Sequence, residues 1–349
     1  MLLEVALLAI MLWDLYFFLN YIISLLKGYR VKEWMPFVSI IIPAYNEEGN
    51  IENSIIAALS QDYPNFEVIV VDDGSEDRTF EVASSIKDER LRVFRKGHEG
   101  KARALNFGLS KAQGEIIVVT DADTLLHGSA VKELVRRFYD EEIFGVGGQV
   151  RVLVNSFLER AQDVEHLRIA MFRRAKELED LSVAPGPISA FRKEALEKIG
   201  GFVESEVEDY ATTESIKKLG RVVYAPKAKA YTRMPASLKT LWNQRKRWFL
   251  GDLKHLGGGF LKGWLFLILG DFIAFLDVIV PALLILYEKW LLLGVFLGFE
   301  IITMLIPALV EERSIVNAIL FPLFLWFWAL FYLMLHVYGY LCILKSKVL

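Results

Sequence analysis

The sequence predicts an α/β fold, a doubly wound and mostly parallel sheet, framed by transmembrane helices, one N-terminal and about three C-terminal. Three observations carry this. Hydrophobic residues make up 54% of the 349, high for a wholly soluble chain. They gather in residues 1–26 and again from about 264 to 344, whereas most of the 40 basic and 43 acidic residues lie between these blocks. In that middle part short β-branched runs alternate with longer amphipathic stretches. This is the order of a sheet wound by helices, with its ligand crevice at the carboxyl ends of the strands.

Taken in order, residues 1–30 form an anchor. Lys27, Arg30 and Lys32 follow the apolar run instead of preceding it, which argues for a retained anchor over a signal peptide. By the positive-inside rule the next domain, residues 37–236, is cytoplasmic. Its predicted strands are 38–42, 67–71, 91–94 and 115–120, and its predicted helices 48–60, 78–87, 101–112 and 130–140. Residues 238–259 open as a helix rich in Arg, Lys and Trp and end in Gly257, Gly258 and Gly259, the composition of a helix at lipid headgroups. The C-terminal region, 264–349, has room for three spans of roughly 20 residues each, near 264–287, 290–310 and 315–344. Glu288 and Lys289 mark the first break, and Glu311, Glu312 and Arg313 the second. Four crossings leave Lys345 and Lys347 outside, against the charge rule, so a re-entrant or interfacial segment is the alternative topology. Asp271 and Asp277 fall inside the first of these spans. Two readings fit them, the wall of a sugar passage or a pairing with a neighbouring helix.

A net charge of −3 with mixed signs gives no basic face for nucleic acid. The single cysteine, Cys342, excludes an intrachain disulfide and a cysteine-ligated zinc site. His98, His127, His166, His255 and His336 are scattered without ligand spacing. His255 follows Trp248 by seven residues and is a candidate neighbour of a diphosphate.

Polar residues collect where the apolar strands stop. The first strand runs into Pro43-Ala44-Tyr45-Asn46-Glu47-Glu48, and the second ends in Asp72-Asp73-Gly74-Ser75. Asp73 is placed to accept hydrogen bonds from a base or ribose, although Asp-Gly is also a common turn pair. The strand at 115–120 ends in Asp121-Ala122-Asp123. In an extended chain such i, i+2 side chains share a face, where two carboxylates repel unless a divalent cation with oxygen ligands lies against them. Mg2+ or Mn2+ bridging them to a diphosphate is the expectation. Gln244, Arg247 and Trp248 share one helical face at i, i+3 and i+4. Arg247 suits a diphosphate and Trp248 an acceptor sugar, although an interfacial helix also carries a basic face and a Trp.

Together, 39–47 (Ser-Ile-Ile-Ile-Pro-Ala-Tyr-Asn-Glu), Val71-Asp72-Asp73-Gly74-Ser75, Gly100-Lys101-Ala102 with Ala104-Leu105-Asn106, and Asp121-Ala122-Asp123 resemble the inverting family 2 glycosyltransferases, in motif order over about residues 37–250. The resemblance implies the GT-A fold. It also implies that Pro43, Tyr45, Glu47 and Asp73 bind the donor, the last three lining the uridine pocket, and that Lys101 approaches the same end. Asp121 then binds both donor and metal, with Asp123 the more direct metal ligand. Glu206-Val207-Glu208-Asp209 is similar to the family's Glu-Asp pair, with Val207 where Thr is frequent. On that resemblance Asp209 is the catalytic base and Glu208 lies on the acceptor side. Gly186, within Pro185-Gly186-Pro187, resembles the acceptor segment, and a turn before a helix explains it equally. Gln244-Arg245-Lys246-Arg247-Trp248 resembles the Gln-x-x-Arg-Trp signature of the polysaccharide-synthase branch, which covers hyaluronan, chitin, cellulose and poly-N-acetylglucosamine synthases. Gln244 and Arg247 are thereby expected at the donor and Trp248 at the acceptor.

The expected activity is transfer of a sugar from a UDP-sugar to a growing glycan at the cell membrane, by a multi-pass protein in contact with lipid. Transfer of one sugar to a lipid-linked acceptor fits a membrane part of about four spans equally well, as does a homo-oligomer. A transporter or sensor that binds nucleotide without turnover is the alternative of another class, and a metal pair beside a candidate base argues against it.

Overall fold

The computed structural model describes residues 1–28, 30–176, 181, 183–255 and 260–346, with side chains described except at 252–255, 260–267 and 343–346. Gly257, Gly258, Gly259 and Lys347, and the side chains of His255 and Lys345, lie outside the described residues. The chain forms two compact units. One comprises Lys27–Leu153 with Lys176–Met234, the other Met1–Leu26, Val154–Ala175 and Pro235–Leu349.

The first unit is built on a sheet whose strands are β1 (Val38–Ala44), β2 (Phe66–Asp72), β3 (Leu91–Arg95), β4 (Ile116–Val119), β5 (Thr124–Leu126), β6 (Ile143–Val152), β7 (Ser189–Arg192) and β8 (Arg221–Thr232). Among the described residues their order is β3-β2-β1-β4-β7-β6-β8-β5. The half β3-β2-β1-β4 is parallel throughout. Beyond it β7 runs antiparallel to both β4 and β6, β8 is parallel to β6, and β5 closes the edge antiparallel to β8. The sheet is therefore mixed, its parallel half being the part predicted from strand–helix alternation.

Every residue of β1 and β2 is buried, because helices cover both faces. Side chains alternate between two cores. Ile40, Ile42, Val68, Val70 and Val118 pack with Ile51 and Ile55 of the helix Ile51–Leu59. Ile41, Ile69, Val71, Ile117 and Val119 pack with Leu105 and Leu109 of the helix Lys101–Lys111. The helix expected over 130–140 stops at Val135. There the chain turns the Arg137 side chain inward, where it donates to the carbonyls of Tyr224 (2.9 Å) and Arg30 (2.5 Å). Since β1, β2 and β4 are parallel, residues 45–48, 73–75 and 121–123 leave the sheet at one edge.

Among the described residues of the second unit, four helices are long and apolar enough to cross a membrane, with spans Leu2–Lys27, Ile268–Leu286, Trp290–Val310 and Phe321–Cys342. A short helix, Ile315–Ile319, precedes the last of them. The same unit contains Phe157–Ala175, a largely polar helix that is nevertheless mostly buried. Its charges are met one by one. Arg168 pairs with Asp14 at 3.1 Å and Arg174 with Glu311 at 3.1 Å. Asp163 accepts from Arg313 and from Asn317, and Glu165 pairs with Arg245 at 2.6 Å and accepts from Tyr332. Buried charge survives in an apolar bundle only where a partner replaces water. Glu311 and Arg313, which mark a break in the apolar pattern, are thus drawn inward and buried. Asp271 is held by His336 and by Tyr340 (2.6 Å), both on the last helix. Asp277 is buried, and its Oδ1 has no hydrogen-bond partner among the described residues.

Candidate active site

The sheet-bearing unit gathers its functional side chains at the edge where β1, β2 and β4 end. At one end of this edge lies Asp73, directly after β2, with its carboxylate buried. It accepts from the Gly100 amide (2.8 Å), from the Glu99 amide (3.2 Å to Oδ1) and from the Lys96 ammonium (2.9 Å). Burial alone would raise its pKa. The hydrogen bonds from Lys96, Gly100 and Glu99 outweigh this and hold it below the usual carboxylate range. Gly74 adopts φ +76°, and a Cβ there would stand 2.7 Å from the His98 amide, so the close approach of the 96–100 segment requires glycine. His98 Nδ1 lies 2.9 Å from Asp73 Oδ2, and its ring stacks on Tyr45 with centroids 4.1 Å apart and planes 26° apart. An exposed aromatic face beside a fixed carboxylate suits a nucleoside, the ring by stacking and the carboxylate by accepting hydroxyl or N–H groups.

The two loops at the ends of β1 and β2 are tied together. Asn46, at φ 55°, takes the left-handed conformation that Asn tolerates. Its amide donates to Ser75 Oγ and its side chain accepts from the Glu76 amide, each at 2.9 Å. The Glu47 amide donates to Thr79 Oγ1 at 2.7 Å, and the Glu47 carboxylate accepts from Asn50 at 2.8 Å. Pro43 is buried within β1 opposite Val71.

Asp121 and Asp123 follow β4, and their proximity has a different cause from the one expected. The strand ends at Val119, and the Thr124 amide donates to the Asp121 carbonyl at 3.1 Å, so the pair lies in a turn and not in extended chain. The repulsion expected of it is present. Burial first, then the charges of Asp121 and Glu47, push the Asp123 carboxyl up to about 6. A cation placed here relieves that cost, which is why the residues fit a divalent metal. Among the described residues no three His, Cys, Asp or Glu side chains are grouped to hold one, so further ligands have to come from elsewhere, and phosphate oxygens meet the need.

Lys101 is the first residue of the helix Lys101–Lys111. The resemblance put it at the nucleoside end, but there the ammonium at Asp73 is that of Lys96. Lys101 Nζ instead bridges Asp121 Oδ1 at 2.8 Å and Glu208 Oε1 at 2.6 Å. Burial works against its charge, yet Asp121 and Glu208 prevail and hold its pKa above the ordinary lysine value. Asp209 lies beside Glu208 in the first turn of the helix Glu208–Lys217. One carboxylate oxygen accepts from the Gly186 amide (3.2 Å) and the other from the Tyr210 amide (2.8 Å). Behind it stand Leu105, Val119, Phe191 and Phe202. That apolar backing raises the Asp209 pKa, with the Glu208 charge adding to it, while Lys101 and the two amides oppose.

Gly186 is the point on which these groups converge. A Cβ built on it would lie 3.0 Å from Lys101 Nζ, 3.6 Å from Asp121 Oδ2 and 3.8 Å from Asp209 Oδ2. The metal-type carboxylate, the lysine and the candidate base, from three separate elements, thus surround one side-chain-free position.

Gln244, Arg247 and Trp248 belong to the other unit, on the helix Leu238–His255. Arg247 is exposed, and the other two are half-buried. They flank Arg245, which the shared-face reading passed over. The buried Arg245 guanidinium donates to Gln244 Oε1 at 2.7 Å, lies 4.3 Å from the Trp248 ring centroid and pairs with Glu165. Sequence reasoning also passed over Lys96 and His98. Their signal was available, since basic residues just after β3 share the edge with Asp73.

Residues 39–200 match the family model for glycosyl transferase family 2. The chain is thus similar to that family over a little under half of its length. The chain is 29% identical over 222 residues to the poly-beta-1,6-N-acetyl-D-glucosamine synthase of Staphylococcus aureus, covering 61% of this chain and 54% of that protein. With the Bacillus subtilis protein described as "Probable glycosyltransferase YdaM" it shares 31% over 238 residues, covering 64% and 56%. The matches thus span a little over half the length of these relatives. Its fold is that of the mannosyltransferase PcManGT from Pyrobaculum calidifontis, solved in complex with GDP-Man and Mn2+, with a TM-score of 0.64, 24% identity and 99% of each chain covered. The family match contains Asp73, Lys101, Asp121, Asp123 and Gly186 and ends before Glu208 and Asp209, which geometry joins to the site.

Proposed function

We propose that this glycosyltransferase moves a sugar from a UDP-sugar to a growing glycan, with inversion at the anomeric carbon, and that its catalytic unit faces the cytoplasm. The observation that carries the proposal is the convergence of Lys101, Asp121 and Asp209 around Gly186. The nucleoside lies along Asp73 and the Tyr45–His98 stack, and the diphosphate extends toward Asp121 and Asp123. Mg2+ or Mn2+ held by these two carboxylates and the phosphates stabilises the departing charge when bound. Asp209 takes the proton of the acceptor hydroxyl as its oxygen bonds to the anomeric carbon and the bond to the diphosphate breaks. Its apolar backing makes it a stronger base than a solvated aspartate, and the amides of Gly186 and Tyr210 fix its oxygens. In this reading Glu208 attends the acceptor.

The likeness to a poly-N-acetylglucosamine synthase supports a growing glycan as acceptor. Transfer of a single sugar to a lipid-linked acceptor is a second reading, favoured by the pairing of charges between the polar helix Phe157–Ala175 and its neighbours, which ties this unit into a packed bundle. Asp209→Asn tests the base. Its transfer rate is expected to fall by on the order of 10²–10⁴, with UDP binding within about twofold of the parent. Normal turnover by this variant contradicts the assignment.

A further inference from the structure

Lys101 stands where its charge is locally unfavourable. The amino end of a helix carries partial positive charge and disfavours a cation, yet this lysine opens the helix Lys101–Lys111. What holds its ammonium there is the bridge to Asp121 and Glu208, one carboxylate from the turn after β4 and one from the start of the helix Glu208–Lys217. Asp121 is also one of the two carboxylates that fit a divalent ion. Two cations sharing one carboxylate lie within a few ångströms of each other and repel. Space for one of them to leave exists, because Gly186 presents no side chain where a Cβ would stand 3.0 Å from Nζ. The unbranched lysine stem allows the ammonium to move without the helix.

We infer that Lys101 is the resident cation of this gap in the donor-free enzyme and competes with the divalent metal for Asp121, yielding it when metal and nucleotide-sugar arrive. The inference deepens the proposed function and rests on its metal assignment. On metal binding the ammonium keeps Glu208 and turns to the donor's diphosphate, which supplies the negative charge it gives up at Asp121. Lys101 is then a positioning residue with two opposed effects. It weakens the binding of metal alone and strengthens the binding of nucleotide alone. A lysine that serves only as a phosphate ligand has the second effect without the first.

The test uses the full-length protein in detergent. Mn2+ is titrated without nucleotide, the free ion being read by its electron paramagnetic resonance signal, and UDP is titrated without metal by calorimetry. Lys101→Met is expected to bind Mn2+ roughly three- to tenfold more tightly than the parent, the range of a partly exposed ion pair, and UDP more weakly by a similar factor. Lys101→Arg keeps the charge and can fork onto a carboxylate, so it should bind Mn2+ no more tightly than the parent. Lys111→Met, the same charge change at the far end of the helix, should leave Mn2+ affinity unchanged. If Lys101→Met does not fold, judged by its melting curve, Lys101→Gln takes its place with the same expectation. Mn2+ affinity that is unchanged or reduced in the neutral variant overturns the inference, as does an equal gain in Lys111→Met. Neither titration reads sugar transfer. Failure here leaves the transfer reading intact, and absence of transfer by the parent protein would leave the order of Mn2+ affinities standing.

Discussion

The sheet edge and the polar helix Phe157–Ala175 both place charge in poorly solvated surroundings, and they resolve it in opposite ways. On the helix, Asp163, Glu165, Arg168 and Arg174 each face a partner of opposite sign or a hydrogen-bonding side chain. At the sheet edge like charges are crowded together, Asp121 and Glu47 against Asp123 and Glu208 against Asp209, with Lys101 as the cation paired to Asp121 and Glu208. Satisfied pairs fix a bundle, whereas unrelieved repulsion marks a place built for a ligand that brings the missing charge. The same residue types therefore pair off in one unit and crowd together in the other.

Substitutions should separate the two regions. The largest effect is expected for Asp123→Ala, which removes a proposed metal ligand and should abolish the dependence of UDP binding on Mn2+. Because it also removes a repelled carboxylate, its melting temperature without metal should be unchanged or higher at neutral pH. Arg245→Met should do the reverse. Leaving Glu165 buried without its cation costs about 3–5 kcal/mol, visible as a lower melting temperature, and pairing it with Glu165→Leu should restore much of the loss. A metal-free Asp123→Ala protein that melts far below the parent would show that this carboxylate holds the fold as the paired charges of the helix do.

Acidity gives a smaller effect of defined sign. The folded-state pKa of Asp123 is raised to about 6, so its protonated form favours the fold. That stabilisation is complete below the unfolded value of about 3.9 and is lost as pH rises through about 6. Metal requires the ionised form, so Mn2+ affinity should rise over the same interval, and parallel melting curves with and without Mn2+ read both trends. The smallest effect is expected at the nucleoside end. Tyr45→Ala removes one ring of the stack and should weaken UDP by about 0.5–1.5 kcal/mol, a several-fold increase in Kd.

The parallel half of the sheet was legible in the sequence because its strands are buried on both faces and therefore read as unbroken β-branched runs. The carboxylates at its edge were legible as well, since polar residues directly after such runs have few structural uses. Their geometry was not. The turn at Asp121–Thr124 is set by one backbone hydrogen bond, and the placement of Lys101 by Asp121 and Glu208, which lie far from it in sequence. Least visible was Phe157–Ala175. Its Arg and Glu residues look like those of a solvated helix, and only partners some 150 positions away, such as Arg313 and Asn317 for Asp163, reveal that it is buried.

The activity proposed for this protein is sugar transfer from a UDP-sugar with help from a divalent ion. It is tested most directly by incubating the purified full-length protein with labelled UDP-sugars and GDP-mannose, with Mg2+, with Mn2+ or with chelator, and sizing the products. Label is expected in a glycan product from a UDP-sugar and should be lost on chelation. Incorporation from GDP-mannose alone, or undiminished transfer in chelator, would contradict it.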